Sequence, residues 1–216
     1  MYHYIDDKDF LKRMKYLCSD IINQLVQKIN NDGLMEVEAH LVGSGSRNLI
    51  TQNANDPIDL DYNLCIEDFG DFSIRSGREI KNYIQTQFNT ILQKNRWSDC
   101  QDSTSVLTTE YRHFTKGNNT EFKIDLAIVY SDNHGWYRLI HEKTGYVILD
   151  RFYWNMVPDS QDVWEKVGSI KEQNQWKAVR DTYLEKKNMY LCRNDRNHPS
   201  FNIYVESVNE VYNKTI

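Results

Sequence analysis

The chain has 216 residues, 40% hydrophobic and 26% charged, with a mean hydropathy of -0.70, enough to bury one sizeable core and a small appended unit. No apolar run approaches the roughly 18 to 20 residues that span a bilayer, and the start MYHYIDDKDF is acidic where a signal peptide is basic and then apolar, so a cytoplasmic protein with no membrane partner is expected. Lys and Arg total 26 against 31 Asp and Glu, a net charge of -5, which disfavours the broad basic footprint of an extended nucleic-acid binder.

Apolar side chains at Phe10, Leu11, Met14, Leu17, Cys18, Ile21, Ile22, Leu25 and Ile29 recur at helical spacing, predicting a helix over 5–30 that Asn31-Asp32-Gly33 stops. Met35 to Val42 reads as a strand that delivers the small-residue turn Gly43-Ser44-Gly45-Ser46, with a short helix expected from Arg47 to Thr51. Ile58 to Ile66 alternates, sending Ile58, Leu60, Tyr62 and Leu64 one way and Asp59, Asp61 and Asn63 the other. A helix is expected over 78–95, then strands at about 104–111, 121–130, 135–141 and 145–150. From Asp159 the pattern turns helical, with Trp164, Trp176, Val179, Tyr183 and Leu184 in one stretch. A further helix, after His198-Pro199-Ser200, carries Phe201, Tyr204, Val205, Val208, Val211 and Tyr212. Cys18, Cys65, Cys100 and Cys192 form no Cys-x-x-Cys pair and read as reduced thiols, and the six histidines show no metal-type spacing.

Asp59 and Asp61 leave the same strand face with their α-carbons roughly 6.5 to 7 Å apart, a separation at which two carboxylates share a divalent cation. Asp125 lies between the inward-facing Ile124 and Leu126, and an acid in so apolar a strand is costly unless it is paired or ligated. Lys123, on the same face, is the candidate ion-pair partner if Asp125 is simply a paired acid. Three carboxylates beside a small-residue turn suit magnesium, which takes oxygen ligands and is completed by waters and phosphates. The turn offers backbone N–H groups and two hydroxyls to phosphate oxygens.

Rival patterns fit less well. A calcium loop beginning at Asp59 wants Gly and Glu where Leu64 and Gly70 stand, and no Gly-Lys-Ser or Gly-Lys-Thr marks a Walker loop. Arg47, Lys123, Lys143, Arg151, Lys166 and Lys171 are candidate triphosphate contacts, of which Arg47 stands beside the turn. Tyr153 and Trp154 are candidates for base stacking or for core packing.

In order, Leu41-Val42-Gly43-Ser44-Gly45-Ser46, Asp59-Leu60-Asp61-Tyr62 and Ile124-Asp125-Leu126 resemble the signature of the nucleotidyltransferase superfamily related to DNA polymerase beta, small bacterial-type members included. The resemblance covers roughly residues 35–130, and both Gly-Ser pairs stay open as the matching one. It implies an α/β (α+β) fold, a mixed sheet flanked by helices. Residues 1–155 would form the nucleotidyltransferase-like core with the N-terminal helix, and 156–216 a helical segment packed on it. It also implies metal-dependent transfer of a nucleoside monophosphate from a triphosphate, ATP first among them, to a hydroxyl, with release of pyrophosphate. Asp59, Asp61 and Asp125 would be the catalytic, metal-binding acids, holding two magnesium ions with manganese as the substitute. Gly43, Ser44, Gly45, Ser46 and Arg47 would bind the nucleotide. The acidic balance favours a small-molecule or nucleotide acceptor over a long nucleic acid, while the superfamily's range of antibiotic, nucleotide, tRNA and protein acceptors stays open. Two rivals accompany this reading: a non-catalytic nucleotide-binding or protein-interaction module of the same fold, and a metal-dependent phosphohydrolase that releases phosphate.

Overall fold

The computed structural model describes residues 1–158, 161–195 and 199–215; His198 lies outside them. The chain divides into two compact units that interleave in sequence, the larger formed by Asp7–Asn48 and Pro57–Pro158 and the smaller by Met1–Asp6, Leu49–Asp56 and Asp159–Ile216.

In the larger unit, helix α1 (Lys8–Asp32) starts where the Asp7 carboxylate accepts the Phe10 amide at 2.9 Å and ends at Gly33, whose φ of 71° supplies the left-handed cap. Its stripe of Phe10, Met14, Cys18, Ile21, Ile22, Leu25 and Ile29 is buried, each side chain contributing about 1.5 to 3 kcal/mol of transfer free energy. Strands β2 (Glu36–Leu41), β4 (Ile58–Asp68) and β7 (Phe122–Asp132) follow one another across the sheet. β2 is antiparallel to β4, and β4 is parallel to β7. Helix α3 (Gly77–Lys94) lies between β4 and β7 in sequence, which supplies the crossover a parallel pair requires. Leu60, Tyr62, Leu64, Ile124, Leu126 and Ile128 are all buried, and Ser19 of α1 meets the Tyr62 hydroxyl at 2.9 Å, so α1 covers this face. Asp59, Asp61, Asp125 and Asn63 point to the other.

Two expected strands differ. In place of one strand over 104–111, two short ones form, β5 (Gln101–Asp102) and β6 (Leu107–Thr108), because the chain turns tightly where the Ser103 amide donates to the Val106 carbonyl at 2.9 Å. The stretch 145–150 is not a strand. Gly145 adopts φ 88°, the Asp150 carboxylate accepts the Thr144 amide at 2.8 Å, and Val147–Leu149 makes a single exposed turn of 3-10 helix. The strand begins one residue later, as β9 (Arg151–Met156), which pairs with β8 (Gly135–Glu142). His141 of β8 fixes this arrangement, its Nδ1 2.6 Å from Asp102 and its Nε2 3.0 Å from Asp150.

In the smaller unit, β1 (Tyr2–Tyr4) pairs antiparallel with β3 (Thr51–Asn53). The expected helix over 47–51 is therefore replaced by a four-residue helix α2 (Gly43–Ser46), followed by Asn48 at φ 58° and then β3. Helices α4 (Gln161–Glu172), α5 (Trp176–Cys192) and α6 (Ser200–Thr215) surround a core of Val163, Val167, Ile170, Val179, Tyr183, Ile203, Tyr204, Val208 and Val211, to which Leu49 contributes. Asn188 of α5 accepts the Tyr2 amide at 2.7 Å, and Lys187 donates to the Thr51 hydroxyl at 3.0 Å. Burial brings the Lys187 ammonium down to about 8.

Leu60 carries the acid strand on its buried side. Leu60→Ala is expected to cost about 2 to 5 kcal/mol in a urea titration, the usual range for a core leucine, with one cooperative transition retained for the unit.

Candidate active site

Parallel pairing in register sets Asp61 directly opposite Asp125 and Asp59 opposite Lys123. Three carboxylates and one ammonium thus share a small area of one sheet face. Lys123 Nζ stands 3.2 Å from Asp125 Oδ2 and 3.6 Å from Asp59 Oδ1. The Asp125 side chain is 14% exposed and that of Asp59 50%, so the cluster grades from a shielded to a wet end. On the shielded side the Thr108 hydroxyl donates to Asp125 Oδ1 at 2.7 Å, which fixes that carboxylate.

The turn after β2 meets the same carboxylates. Val42 donates its amide to the Asp61 carbonyl at 2.8 Å, bringing the chain back over β4. Gly43 follows at φ 62°, and a Cβ there would lie 2.6 Å from Asp61 Oδ2. Only glycine accepts both that backbone conformation and that approach. Gly45 is buried against Leu41 and Leu60, where a Cβ would come within 3.0 and 3.2 Å, and Lys15 of α1 donates to its carbonyl at 2.6 Å. Ser46 turns its hydroxyl onto the Gly43 carbonyl at 3.1 Å, and Arg47 caps the short helix.

Burial first, and then the crowding of like charges, set the electrostatics. The Asp61 carboxyl is pushed up to about 6, first by burial, then by Asp125 and Asp59, against the pull of Arg138 and Lys123. Asp59 is raised by burial and by Asp125, with Lys123 opposing. Burial lowers the Lys123 ammonium, but Asp125 and Asp59 more than offset this and hold it above the usual lysine range. The ion pair with Lys123 that the sequence offered as the alternative role of Asp125 is present at 3.2 Å, and it places a monovalent cation within a set of oxygen donors. Hard divalent ions fit such a set: carboxylate oxygens from two adjacent strands, with unfavourable repulsion that a cation relieves.

The other predicted cations are engaged elsewhere. Lys143 donates to the Asp102 carbonyl, Arg151 pairs with Glu142 at 2.9 Å, Lys166 donates to Asn209 at 2.6 Å, and Lys171 lies 5.2 Å over Trp176. Trp154 is a packing residue, its indole donating to the Ile74 carbonyl at 2.8 Å and its ring 4.7 Å from Tyr130; Tyr153 beside it on β9 is 46% exposed. Sequence reasoning missed Thr108, Arg138 and Lys15. None of these lies in a local motif, and only long-range pairing brings each to the acids or the turn.

No protein-family profile matches the chain, and no curated protein matches it in sequence. Its backbone, however, is similar to solved structures. E. coli MS115-1 CdnC, determined with ATP, superposes at a TM-score of 0.61 and 14% identity over 95% of this chain and 61% of that one. The E. coli MS115-1 CdnC:HORMA-deltaN complex gives 0.56 and 15% over 94% and 60%. Vibrio cholerae DncV cyclic AMP-GMP synthase, in complex with the linear intermediate 5' pppA(3',5')pG, gives 0.54 and 11% over 84% and 46%. The chain thus spans about three fifths of CdnC and under half of DncV. In fold, the chain shares the mixed α/β architecture of these structures, a central mixed sheet flanked by helices.

Proposed function

We propose that the chain transfers a nucleoside monophosphate from a nucleoside triphosphate to a hydroxyl of a second nucleotide, releasing pyrophosphate. The observation that carries this reading is the register that sets Asp61 opposite Asp125, with Asp59 on the same face and Gly43 against the Asp61 carboxylate. Nucleotidyl transfer is the chemistry of the proteins that share the fold, and the DncV structure, a cyclic AMP-GMP synthase bound to a linear dinucleotide, favours a nucleotide acceptor over a cationic small molecule. A partner-binding module would want the apolar face of α6 open; Ile203, Tyr204, Val208 and Val211 are instead buried in the core of their own unit.

In this reading Asp59, Asp61 and Asp125 hold divalent cations, magnesium first and manganese as the substitute. When bound, such ions neutralise the triphosphate and stabilise the charge of an in-line displacement. The chain's own groups do the rest. Asp125, whose carboxylate is fixed by Thr108, is the base assigned to the proton of the attacking hydroxyl. Gly43 lets the turn close onto the Asp61 carboxylate, and the turn's amides and the Ser44 hydroxyl are the donors for a phosphate, since the Ser46 hydroxyl is engaged with the Gly43 carbonyl. Lys123 compensates the charge of Asp59 and Asp125. ATP is the first donor to test.

The test is pyrophosphate release from each ribonucleoside triphosphate with magnesium, followed by chromatography of the nucleotide product. Asp59→Asn, Asp61→Asn and Asp125→Asn are each expected to lower turnover by about 10³-fold, the loss of several kcal/mol of charge stabilisation, with the fold intact by circular dichroism. Turnover unchanged by all three substitutions would remove the site assignment. Orthophosphate as the product would establish hydrolysis instead.

Gly43→Ala is expected to weaken turnover by at least about tenfold, because the added methyl displaces the Asp61 carboxylate, while Ser46→Ala stays within about threefold. Steady-state rates of the two variants check this.

Asp61 also predicts a pH dependence. Its folded carboxyl ionises at about 6, above the ordinary carboxylate value, so a proton competes with the ion below that pH. Apparent magnesium affinity is expected to be flat above pH 7 and to fall about tenfold per unit below pH 6, as calorimetric titration reads directly. The same raised value makes the metal-free unit less stable as pH rises from about 4 through 6, since the unfolded chain releases its proton first. Asp61→Asn should flatten that slope in thermal melts.

A further inference from the structure

A second group of metal-ligating side chains lies on the same sheet face, away from the acids. Glu38, His40 and Cys65 each offer one donor atom, and these three atoms lie within 4.8 Å of one another. Sequence spacing hides the group: Glu38 and His40 sit two apart on β2, and the antiparallel register sets Glu38 opposite Cys65 and His40 opposite Asn63 on β4. Along β4 the group begins two residues past Asp61 and reaches Cys65 four residues past it, roughly 7 to 13 Å from the acid.

We propose that Glu38, His40 and Cys65 bind one zinc ion that pins the edge strand β2 to β4. The donor set decides the metal. A thiolate and an imidazole are borderline-soft ligands suited to zinc, whereas magnesium wants an all-oxygen shell. One carboxylate and one thiolate neutralise a dication, and a water fills the fourth position of a tetrahedral centre. Donors on one tetrahedral zinc stand about 3.3 to 3.8 Å apart, given bonds of about 2.0 to 2.3 Å, so the group closes on an ion by small rotations. Glu38 and His40, with side chains 54% and 53% exposed, are free to make them; His40 Nε2 already lies 2.7 Å from Glu38 Oε1.

Two independent observations support a ligand here. Asn63 Oδ1 is buried with no hydrogen-bond partner, and its register opposite His40 makes it an acceptor for the fourth-position water. The Cys65 thiol is enclosed, 1% exposed, yet its sulfur lies within 4.8 Å of a donor atom of both Glu38 and His40, which themselves reach solvent. The place in the fold gives the ion its role. Among the described residues β2 pairs with β4 alone, and it delivers the Gly43 to Ser46 turn. An ion shared between β2 and β4 holds that edge without touching the acid cluster, so the proposal is independent of the nucleotidyl-transfer reading.

The test is competition for zinc against a chromophoric chelator, on the whole chain stripped with a chelator and carrying Cys192→Ser, which removes the exposed thiol. The expected result is one zinc per chain, a thiolate-to-metal charge-transfer band when cobalt replaces zinc, a raised melting temperature, and no competition from millimolar magnesium. His40→Ala, at an exposed position that leaves the fold intact, should weaken affinity at least about 100-fold, and Cys65→Ser should abolish the cobalt band. The Asp59→Asn/Asp61→Asn double variant should bind zinc as the parent does. Absence of stoichiometric zinc, affinity indifferent to His40→Ala, or zinc lost with the two aspartates would each overturn the proposal.

Discussion

Asp61 and Asp125 stand opposite each other on neighbouring parallel strands, and like charges so close repel by a few kcal/mol even at the effective dielectric of a protein surface. The rest of the site can be understood as the containment of that repulsion. Lys123 reaches between Asp59 and Asp125, Thr108 donates to Asp125, Arg138 pulls on Asp61 from β8, and Asp61 keeps a proton to higher pH than an ordinary carboxylate. Each of these is a partial answer. A divalent ion would replace all of them at once, which is why the geometry favours cation chemistry over a merely solvated acidic strand face.

Such repulsion needs a rigid support, and the buried sides of β4 and β7 supply it. Leu60 and Leu64, Ile124, Leu126 and Ile128 are essentially without exposure. Because side chains alternate, the same residues that fill the core determine which carboxylates face outward. A one-residue slip between the strands would bury the acids and expose the core, so hydrophobic packing and the positioning of the acids are one constraint. The antiparallel partner β2 adds the turn, where Gly43 lacks a side chain because Asp61 Oδ2 occupies the space.

That coupling explains which features were legible in the sequence. The alternation of Ile58 to Ile66 and of Phe122 to Ile128 is local, so both strands and the outward direction of Asp59, Asp61 and Asp125 could be read directly. The fit of Asp61 opposite Asp125 depends on a pairing across more than 60 residues, and no local pattern encodes it. Thr108 and Arg138 reach the acids by the same long-range pairing. The stretch 145–150 misled because Tyr146-Val147-Ile148-Leu149 is apolar enough for a strand, yet the Asp150 carboxylate turns it by capping Thr144 and holding His141. The sequence pattern assigned no strand to the first four residues. In the structure β1 pairs with β3 and is held by Asn188, a partner 186 residues away.

The two cation sets on the sheet face differ in the strain they impose. The acid triad is a net anionic cluster whose full ionisation opposes folding, so its cost is carried by the core beneath β4 and β7. Glu38, His40 and Cys65 balance a dication on their own, and two of the three are solvated when empty. The empty triad therefore costs the fold little, and a cation bound there adds stability without altering the acids. Such an arrangement suits a sheet edge: among the described residues β2 has one strand neighbour, it carries the turn that must hold its place beside Asp61, and it gains from any ligand that binds the folded state alone. If both proposals hold, rigidity at the turn has a source separate from the acid cluster that it frames.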